Sequence, residues 1–452
     1  MRTKSIARSM VTLLAATLTL TAAPLAGAAP APPGTDGFYR YDGTAPLESY
    51  APGTVLKTRT TSYNVVNVPT PLQAVQILYR STDALGRPVA NVTSVLRPAN
   101  ALPGKVVSYQ SFYDSLNPED SPSRAIAGNT PLGGWTVDGR NLEIGGAVAS
   151  SEAFVFGPLL AMGYTVVIPD TEGPNADFAA GPEYGMTTLD SLRAVRAVPE
   201  TGVTVGTDIG LMGYSGGAIA TNWAAILAPS YAPEIDADLV GAAQGGVLVD
   251  PAKNLRYASG SIGWGGVVGM AVVGVARSYG IDFDRYLNDR GREVVGRLAD
   301  ASIGNVIAQY PGLTWEQMVK PGYEDPNSIP EYVDAVNKIN MGLAPVPTIP
   351  MFIGQGANGV LEGTPPGGPG IGPGDGIMVA GDVRGLAHRY CDAGLTVQYD
   401  EYAALSHVPA AVAWLPGAVI WLHDRLSGVA ATGNCGQFAP GNSFAPARPA
   451  TG

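Results

Sequence analysis

The chain has 452 residues, of which 46% are hydrophobic and 14% are charged, and its formal net charge is −11 at pH 7 with histidine neutral. This composition is typical of a folded globular protein and argues against an intrinsically disordered chain. The acidic balance, without Lys-rich or Arg-rich runs, disfavours nucleic acid and anionic lipid headgroups as partners.

Residues 1–29 have the order of a secretory signal peptide. Arg2, Lys4 and Arg8 precede an apolar run from Met10 to Leu20, and Ala26-Gly27-Ala28 is a small-residue cleavage site. The run is too short to span about 30 Å of hydrocarbon, and no later segment has ~20 uninterrupted apolar residues. We expect a secreted protein without stable membrane insertion, which carries a net charge of −14 after the three basic residues are removed. The alternative is a buried N-terminal helix.

Alternating apolar and polar residues between Gln76 and Leu96, interrupted at residues 83–86, predict a β-hairpin at one edge of a sheet. Three short apolar runs without alternation follow, at Lys105–Tyr109, Tyr164–Pro169 and Asp208–Gly213. Runs of this type are typical of strands buried on both faces, as in a parallel sheet.

Between these strands, apolar residues at three- and four-residue spacing predict helices over Ser151–Met162 and Met186–Val198. The alternation of strand and helix indicates an α/β fold, with a doubly wound and mostly parallel sheet. Two late strands, Thr348–Gly354 and Thr396–Tyr402, flank a helix near Val383–Ala393. The core is therefore predicted in two parts, residues 30–250 and residues 346–436.

The interruption at residues 251–345 has no clear strand and predicts an inserted helical cap. Its helical windows are Phe283–Ala299, Ser302–Gln309, Trp315–Val319 and Pro330–Ile339. Within the cap, Ile262–Val275 is apolar and rich in glycine, which predicts a close-packed or movable helix. A buried core helix and a lipid-facing lid are both open interpretations.

Two segments lack periodicity. Pro365–Gly374 consists almost entirely of proline and glycine and predicts a surface loop. Residues 437–452 have few side chains to bury and predict a disordered tail.

The sequence Gly213-Tyr214-Ser215-Gly216-Gly217 has the pattern G-x-S-x-G. It lies between the predicted strand at Asp208–Gly213 and an Ala-rich helix at Ala218–Leu227. In that context the pattern indicates a nucleophile elbow, in which small residues on both sides of the serine let strand and helix approach closely. Ser215 is the predicted nucleophile.

A serine hydroxyl needs an adjacent base, which is almost always histidine. The chain has three histidines. His388 and His423 fall within predicted helices, where packing or solvent exposure explains them better. His407 follows the last predicted strand, in the turn Leu405–Pro409, which is the place of the base in the α/β-hydrolase order Ser, acid, His.

The acid of that order must lie between Ser215 and His407, beyond the first of the two late strands. The candidates are Glu362, Asp375 and Asp382. Asp382 is better explained as the N-cap or first-turn residue of the following helix, where its charge favours the helix dipole. We prefer Asp375, although the Pro-Gly segment before it obscures the spacing.

An acyl-transfer transition state also needs backbone N–H donors for its oxyanion. The residue after the nucleophile, Gly216, supplies one of them. The second is expected from the loop Ser111–Ser115 after an earlier strand, and Asp114 is the preferred residue.

The chain has two cysteines, Cys391 and Cys435. In an exported protein the simplest pairing is one disulfide between them. Two separate buried thiols are the alternative.

Several further segments together resemble one known protein family. They are Ser108–Gln110 with Asp114-Ser115, Gly163–Val167 with Asp170–Gly173, Gly181 with Leu189–Ala194, Gly213–Gly217 with Tyr231–Glu234, and Tyr390–Gly394 with Ser406-His407. Together they resemble the secretory lipase family, the Candida antarctica lipase A-like members of the α/β-hydrolases. The resemblance covers about Tyr39 to Cys435.

This resemblance implies lipase or esterase activity on acylglycerols, no cofactor, and a helical cap over the site. Carried onto matching positions, it supports Ser215, His407 and Asp375 as the catalytic residues, with Gly216 and Asp114 as oxyanion donors. The departure from the family pattern is a long insertion at residues 359–374.

We therefore predict a secreted serine hydrolase that takes an ester or lipid substrate, needs no metal, and can work at a lipid–water interface. Two alternatives stay open. One is an extracellular acyltransferase, and the other is a non-catalytic binding protein that keeps the hydrolase fold, against which the intact order Ser, Asp, His argues.

Overall fold

The computed structural model describes residues 34–450, apart from residues 131, 133, 136–141 and 144. The predicted signal peptide at residues 1–29 lies outside the described residues. The strands are β1 (Val55–Val65), β2 (Val68–Thr82), β3 (Pro88–Leu96), β4 (Lys105–Gln110), β5 (Gly134–Trp135), β6 (Leu142–Glu143), β7 (Thr165–Pro169), β8 (Asp208–Tyr214), β9 (Leu239–Gly245), β10 (Met351–Gly356) and β11 (Val397–Tyr402).

The α-helices of the described residues follow in chain order. They are α1 (Pro122–Ala127), α2 (Gly145–Ser151), α3 (Ala153–Ala161), α4 (Pro182–Arg196), α5 (Gly216–Tyr231), α6 (Pro233–Asp236), α7 (Pro251–Ala258), α8 (Gly265–Tyr279), α9 (Asp289–Leu298), α10 (Ile303–Val306), α11 (Pro330–Lys338), α12 (Ala380–Asp392) and α13 (His407–Leu426).

One nine-stranded sheet forms the centre of the described structure, in the order β1-β2-β3-β7-β4-β8-β9-β10-β11. From β7 to β11 all neighbouring strands in this order are parallel. The first three strands are antiparallel, and β3 joins them to β7 in antiparallel register. The predicted doubly wound, mostly parallel α/β sheet is confirmed.

Two strands of this sheet have no counterpart in the sequence prediction. β1 lies outside the predicted hairpin of β2 and β3, so that hairpin is not at the edge of the sheet. Most of β1 is only partly buried and its residues are largely polar. β9 reads Leu-Val-Gly-Ala-Ala-Gln-Gly, whose small residues have low strand propensity, and its place between two buried strands decides its conformation.

Successive side chains of the parallel strands point to opposite faces of the sheet. Val106, Val167 and Leu211 pack with helices α4, α5 and α12 on one face. Their neighbours Val107 and Val166 pack with α3 and α13 on the other face. Because both faces are covered, the central strands β4, β7 and β8 are mostly apolar on both faces, which explains their sequences without regular alternation.

Residues 251–345, all of which the structure describes, contain α7 to α11 and no strand. Their apolar side chains form a cluster separate from the two sheet faces. The window Pro330–Ile339 is helical as predicted, whereas Trp315–Val319 is not. There Val319 forms an isolated bridge with Leu287, which a local pattern cannot reveal.

The glycine-rich segment forms the helix α8, which is closely packed. A Cβ atom on Gly274 would lie 2.2 Å from the carbonyl oxygen of Phe178, so only glycine fits at this approach. On Gly269 a Cβ atom would lie 2.7 Å from a methyl group of Leu298. These contacts support the interpretation as a buried helix.

The last described residues make more contacts than their composition suggests. The backbone N–H of Asn442 donates to the carbonyl of Gly381 at 2.7 Å, and the N–H of Ala447 donates to Asn337 Oδ1 at 2.7 Å. The segment has no helix or strand. In contrast to the expected disordered tail, residues 437–450 are therefore hydrogen-bonded to α11 and α12, while residues 365–374 form a loop as predicted.

A disulfide joins Cys391 and Cys435, with 5.7 Å between their Cα atoms, and confirms the predicted pairing. It ties the end of α12 to the segment that follows α13. The alternative of two separate thiols is wrong.

Replacement of both cysteines by serine should lower the free energy of unfolding by about 3–4 kcal/mol, because the disulfide restricts the unfolded chain over a separation of 44 residues. Urea unfolding followed by fluorescence measures this change. The native protein with excess reductant serves as the control and should lose stability to a similar extent. Equal midpoints for oxidised and reduced protein would contradict the prediction.

Candidate active site

Ser215 lies at the sharp turn between β8 and α5. Its backbone has φ 56° and ψ −121°, a conformation that non-glycine residues rarely adopt. Two glycines permit the turn, since a Cβ atom on Gly213 would lie 2.4 Å from the carbonyl oxygen of Gly217, and one on Gly217 would lie 2.1 Å from that of Gln110. The geometry is that of the predicted elbow.

His407 is the first residue of α13, directly after the loop that follows β11. Its Nε2 lies 2.8 Å from Ser215 Oγ. The imidazole is buried, and a Cβ atom on Gly246 would lie 2.6 Å from its Cε1, so the residue that follows β9 packs against the ring. The hydroxyl of Tyr214 donates to the carbonyl oxygen of His407 at 2.8 Å. His407 is therefore the first residue of the helix, whereas the sequence predicted it in a turn before that helix.

Asp375 is hydrogen-bonded to the ring nitrogen of His407 that faces away from Ser215. Its Oδ2 lies 2.7 Å from His407 Nδ1. Its Oδ1 accepts the backbone N–H groups of Ile377 at 3.1 Å and Met378 at 2.7 Å, while Gln355 Nε2 donates to Oδ2 at 2.8 Å. The carboxyl is fully buried, and its four partners fix its orientation.

The other two acid candidates have different partners. Asp382 lies in the first turn of α12, as predicted, and its Oδ1 accepts hydrogen bonds from Lys253 and Asn442. Glu362 accepts hydrogen bonds from the Trp264 indole and from the backbone of Val408. Of the three candidates, only Asp375 is hydrogen-bonded to His407.

The two predicted oxyanion residues lie side by side. Gly216 is the first residue of α5, and the first N–H groups of a helix have no partner within it. Asp114 has φ 36°, and its carboxyl is so close that a Cβ atom on Gly216 would lie 1.6 Å from Oδ1. The carbonyl of Asp114 accepts the N–H of Ile303 at 2.7 Å, which links this loop to the cap.

Buried carboxyl groups surround the Asp114 loop. Glu172 Oε2 accepts the N–H of Ser115 at 3.1 Å, and Glu152 Oε1 accepts the hydroxyl of Ser111 at 2.7 Å. Burial raises the pKa of Asp114 and Glu172, and it raises the pKa of Glu152 to about 8. Burial therefore favours the neutral form of the carboxyl groups around this loop, which its sequence does not reveal.

The pKa of His407 results from opposing effects. Burial lowers it, while the charge and the hydrogen bond of Asp375 raise it, and the charge of Glu362 raises it further. The net result is a pKa above the usual value of 6.5. The carboxylates therefore favour the imidazolium form of His407.

An apolar cavity extends from Ser215 between the sheet and the cap. It encloses about 880 Å³, including the space at its opening. Its walls come from the core and from α8 and α11, and they include Phe178, Val267, Val268, Ala271, Val272, Tyr332, Val336, Ile377 and Met378. A cavity of this kind suits an apolar chain attached to a polar reacting group.

Sequence reasoning missed several residues of this site. Gln355 holds Asp375, and Trp264 lies edge-on to the His407 ring with 5.1 Å between the ring centroids. Gln355 had a usable signal, because it is a polar residue near the end of an otherwise apolar buried strand. Trp264 had none, since it lies in the cap and meets His407 only in the folded chain.

The secretory lipase family model matches residues 140–434. The chain belongs to the secretory lipase family. Lipase A of Arthroderma benhamiae is 33% identical over 423 residues, which cover 91% of this chain and 83% of that relative. A protein of Mycobacterium tuberculosis named as a probable inactive lipase is 30% identical, over 85% of this chain and 81% of its own.

A solved structure has the same fold as this chain. Candida antarctica lipase A in its closed state superposes with a TM-score of 0.75 at 24% identity, covering 92% of this chain and 91% of that chain. The match, with the mixed nine-stranded sheet, confirms the α/β-hydrolase fold.

Membership of the secretory lipase family supports lipase or esterase activity on an ester or lipid substrate, and an extracellular location. Among the described residues, no helix combines the length and the apolar character needed to cross a bilayer.

Glu152→Gln should make stability less sensitive to pH. The raised pKa of Glu152 means that the folded protein keeps a proton that the unfolded chain releases above pH 4.5. The stability due to this proton is present below pH 4.5 and is lost as the pH rises to about 8. Relative to wild type, the variant should gain about 1 kcal/mol or more between pH 5 and pH 8, measured by urea unfolding.

The matched control for this measurement is Glu200→Gln, which removes a solvent-exposed carboxyl. That variant should follow the wild-type pH dependence. A Glu152→Gln protein with the same pH dependence as wild type would show that the buried carboxyl is ionised in the folded state.

Proposed function

We propose that the chain is a secreted serine hydrolase of carboxylic esters, with Ser215, His407 and Asp375 as its catalytic triad. The observation that carries the proposal is the continuous pair of hydrogen bonds from Ser215 Oγ to His407 Nε2 and from His407 Nδ1 to Asp375, at the wall of an apolar cavity. Nucleophile and base in this contact, with the base oriented by a third group, are the arrangement that activates a serine.

In the first half of the reaction, Ser215 Oγ forms a bond to the ester carbonyl carbon while its proton moves to His407 Nε2. Asp375 holds the other ring nitrogen, which fixes the tautomer and stabilises the imidazolium. The imidazolium then gives its proton to the alcohol oxygen as the ester bond breaks. The alcohol leaves, and the acyl group stays on Ser215.

The tetrahedral intermediate carries a negative oxygen that needs donors. We assign this role to the backbone N–H groups of Gly216 and Asp114, because both residues line the same cavity as Ser215. The strained turn at Ser215 and the φ of 36° at Asp114 support the assignment, because such backbone strain is concentrated at functional sites.

In the second half, water replaces the alcohol. His407 takes a proton from the water, whose oxygen attacks the acyl carbon, and the proton returns to Ser215 Oγ as the carboxylic acid leaves. The apolar walls of the cavity exclude other water from the acyl chain. A lipid ester, met at a lipid–water interface, is the proposed substrate class.

The alternative is a binding protein that has the hydrolase fold but no catalytic activity. One relative is named as a probable inactive lipase, so this alternative should be tested. The hydrogen bonds that connect Ser215, His407 and Asp375 favour a catalytic role instead. Labelling with a fluorophosphonate distinguishes the two, since only an activated serine reacts readily. Product analysis with an added alcohol distinguishes hydrolysis from acyl transfer.

Ser215→Ala should lower kcat for p-nitrophenyl esters about 10³- to 10⁶-fold, because no other group can form the acyl-enzyme. The assay should use a series from acetyl to palmitoyl esters, which also reports the chain length that the cavity accepts. Near-ultraviolet circular dichroism should show the wild-type fold. Activity above a few per cent of wild type would end the assignment.

Asp375→Asn should lower kcat about 10³- to 10⁴-fold, since the amide cannot stabilise the imidazolium or fix its tautomer. Asp382→Asn is the matched control and should retain wild-type kcat, because Asp382 bonds Lys253 and Asn442 instead of His407. The reverse ranking of the two variants would move the acid to Asp382.

A further inference from the structure

Glu362 connects three parts of the site without touching the reacting atoms. It ends a short 3-10 turn, Gly359–Glu362, in the insertion before Asp375. Its Oε2 accepts the indole N–H of Trp264 at 2.7 Å, and its Oε1 accepts the backbone N–H of Val408 at 3.0 Å. Both oxygens are therefore used in holding neighbours of His407.

The first neighbour, Trp264, forms part of the surroundings of the base. Its side chain is buried, and its ring lies edge-on to the His407 ring at 5.1 Å between centroids. The indole N–H is its polar group, and Glu362 accepts it. Without this acceptor a buried donor would lose its hydrogen bond, which favours a different ring position.

The second neighbour, Val408, is the second residue of α13 and follows His407 directly. The N-terminus of a helix carries a partial positive charge, which a carboxylate stabilises. Glu362 therefore anchors the turn of the helix that carries the imidazole.

The loop of the catalytic acid also contacts Glu362. A Cβ atom on Gly376, the residue after Asp375, would lie 2.9 Å from Glu362 Oε2 and 2.8 Å from Trp264 Nε1. Any larger residue at position 376 would separate the pair. The positions of the acid loop, the indole and the carboxylate therefore depend on one another.

Among the described residues, two carboxyls and three tyrosines are titratable groups near His407. Asp375 and Glu362 both favour the charged form of His407. The hydroxyls of Tyr214, Tyr257 and Tyr402 lie nearby, and burial raises the pKa of each of them, to about 12 for Tyr402. The tyrosines stay neutral across the working range of His407, so the carboxylates determine the local charge.

We infer that Glu362 is a positioning residue for the proposed reaction, which holds the Trp264 indole against His407 and adds a second negative charge beside the imidazolium. The inference rests on the proposed function of His407 as the base. Asp375 makes the direct hydrogen bond, and Glu362 acts through Trp264, through Val408 and through space.

Glu362→Gln keeps the size of the side chain and removes its charge. The first measurement is the titration of the histidine imidazoles by NMR in a Ser215→Ala background, which needs no catalysis. The chain has three histidines, so His388 and His423 are internal references. The His407 midpoint should fall by about half a pH unit or more, while the references stay unchanged.

Glu293→Gln is the matched control, because Glu293 pairs with Arg297 on the exposed face of α9. It should leave all three midpoints unchanged. An unchanged His407 midpoint in Glu362→Gln would overturn the inference, whatever the enzyme's activity. Failure of the proposed function would instead appear in the wild-type protein, as an unreactive Ser215.

The second measurement is the pH profile of kcat/KM in the active enzyme. In Glu362→Gln the acidic limb should move to lower pH, because a less basic His407 deprotonates earlier, and the plateau should fall about threefold or more. Trp264→Phe removes the indole N–H and keeps the carboxylate, so it should lower kcat without moving the limb. A fall in activity with an unmoved limb in Glu362→Gln would leave Glu362 a purely structural residue and refute the inference.

Discussion

The site depends on one constraint: three side chains distant in sequence must form two hydrogen bonds at one end of a parallel sheet. Ser215 follows β8, Asp375 follows β10 and His407 follows β11. Parallel strands bring their carboxyl ends to the same edge, so the loops after them meet there. The strand register determines the distances between these loops. Gly213 of β8 pairs with Gln244 of β9, and β10 pairs with β11, so the three side chains come close enough for the two hydrogen bonds.

Strain and burial make this site costly, and the surrounding structure compensates. The backbone at Ser215 and Asp114 is held at positive φ, and the loop of Asp114 is supported by buried carboxyl groups. Neutral acids in an apolar interior are less costly than buried charges, which explains why their pKa values rise. These carboxyl groups support the loop beside Ser215, and the stability that they contribute falls as the pH rises towards neutrality.

The cap is an integral part of the site. It provides the walls of the cavity, it binds the Asp114 loop through Ile303, and it supplies the Trp264 ring beside His407. The insertion at residues 359–374 connects the cap to the acid loop through Glu362. Residues 359–374 thus lie next to the place where His407, Asp375 and the Trp264 ring meet.

The sequence by itself determined the alternating strands and helices of the core, apart from β1 and β9, together with the elbow at Ser215 and the choice of His407. These are set locally: apolar runs, a glycine-flanked serine and a histidine after the last strand are readable within short windows. The tertiary structure decided which carboxylate meets the imidazole, because Glu362, Asp375 and Asp382 all lie between β10 and β11 in the sequence. Trp264 and Glu362 are 98 residues apart, and β9 has small residues that only its neighbours make a strand. Contacts of that range depend on how the chain packs, and no local pattern specifies them.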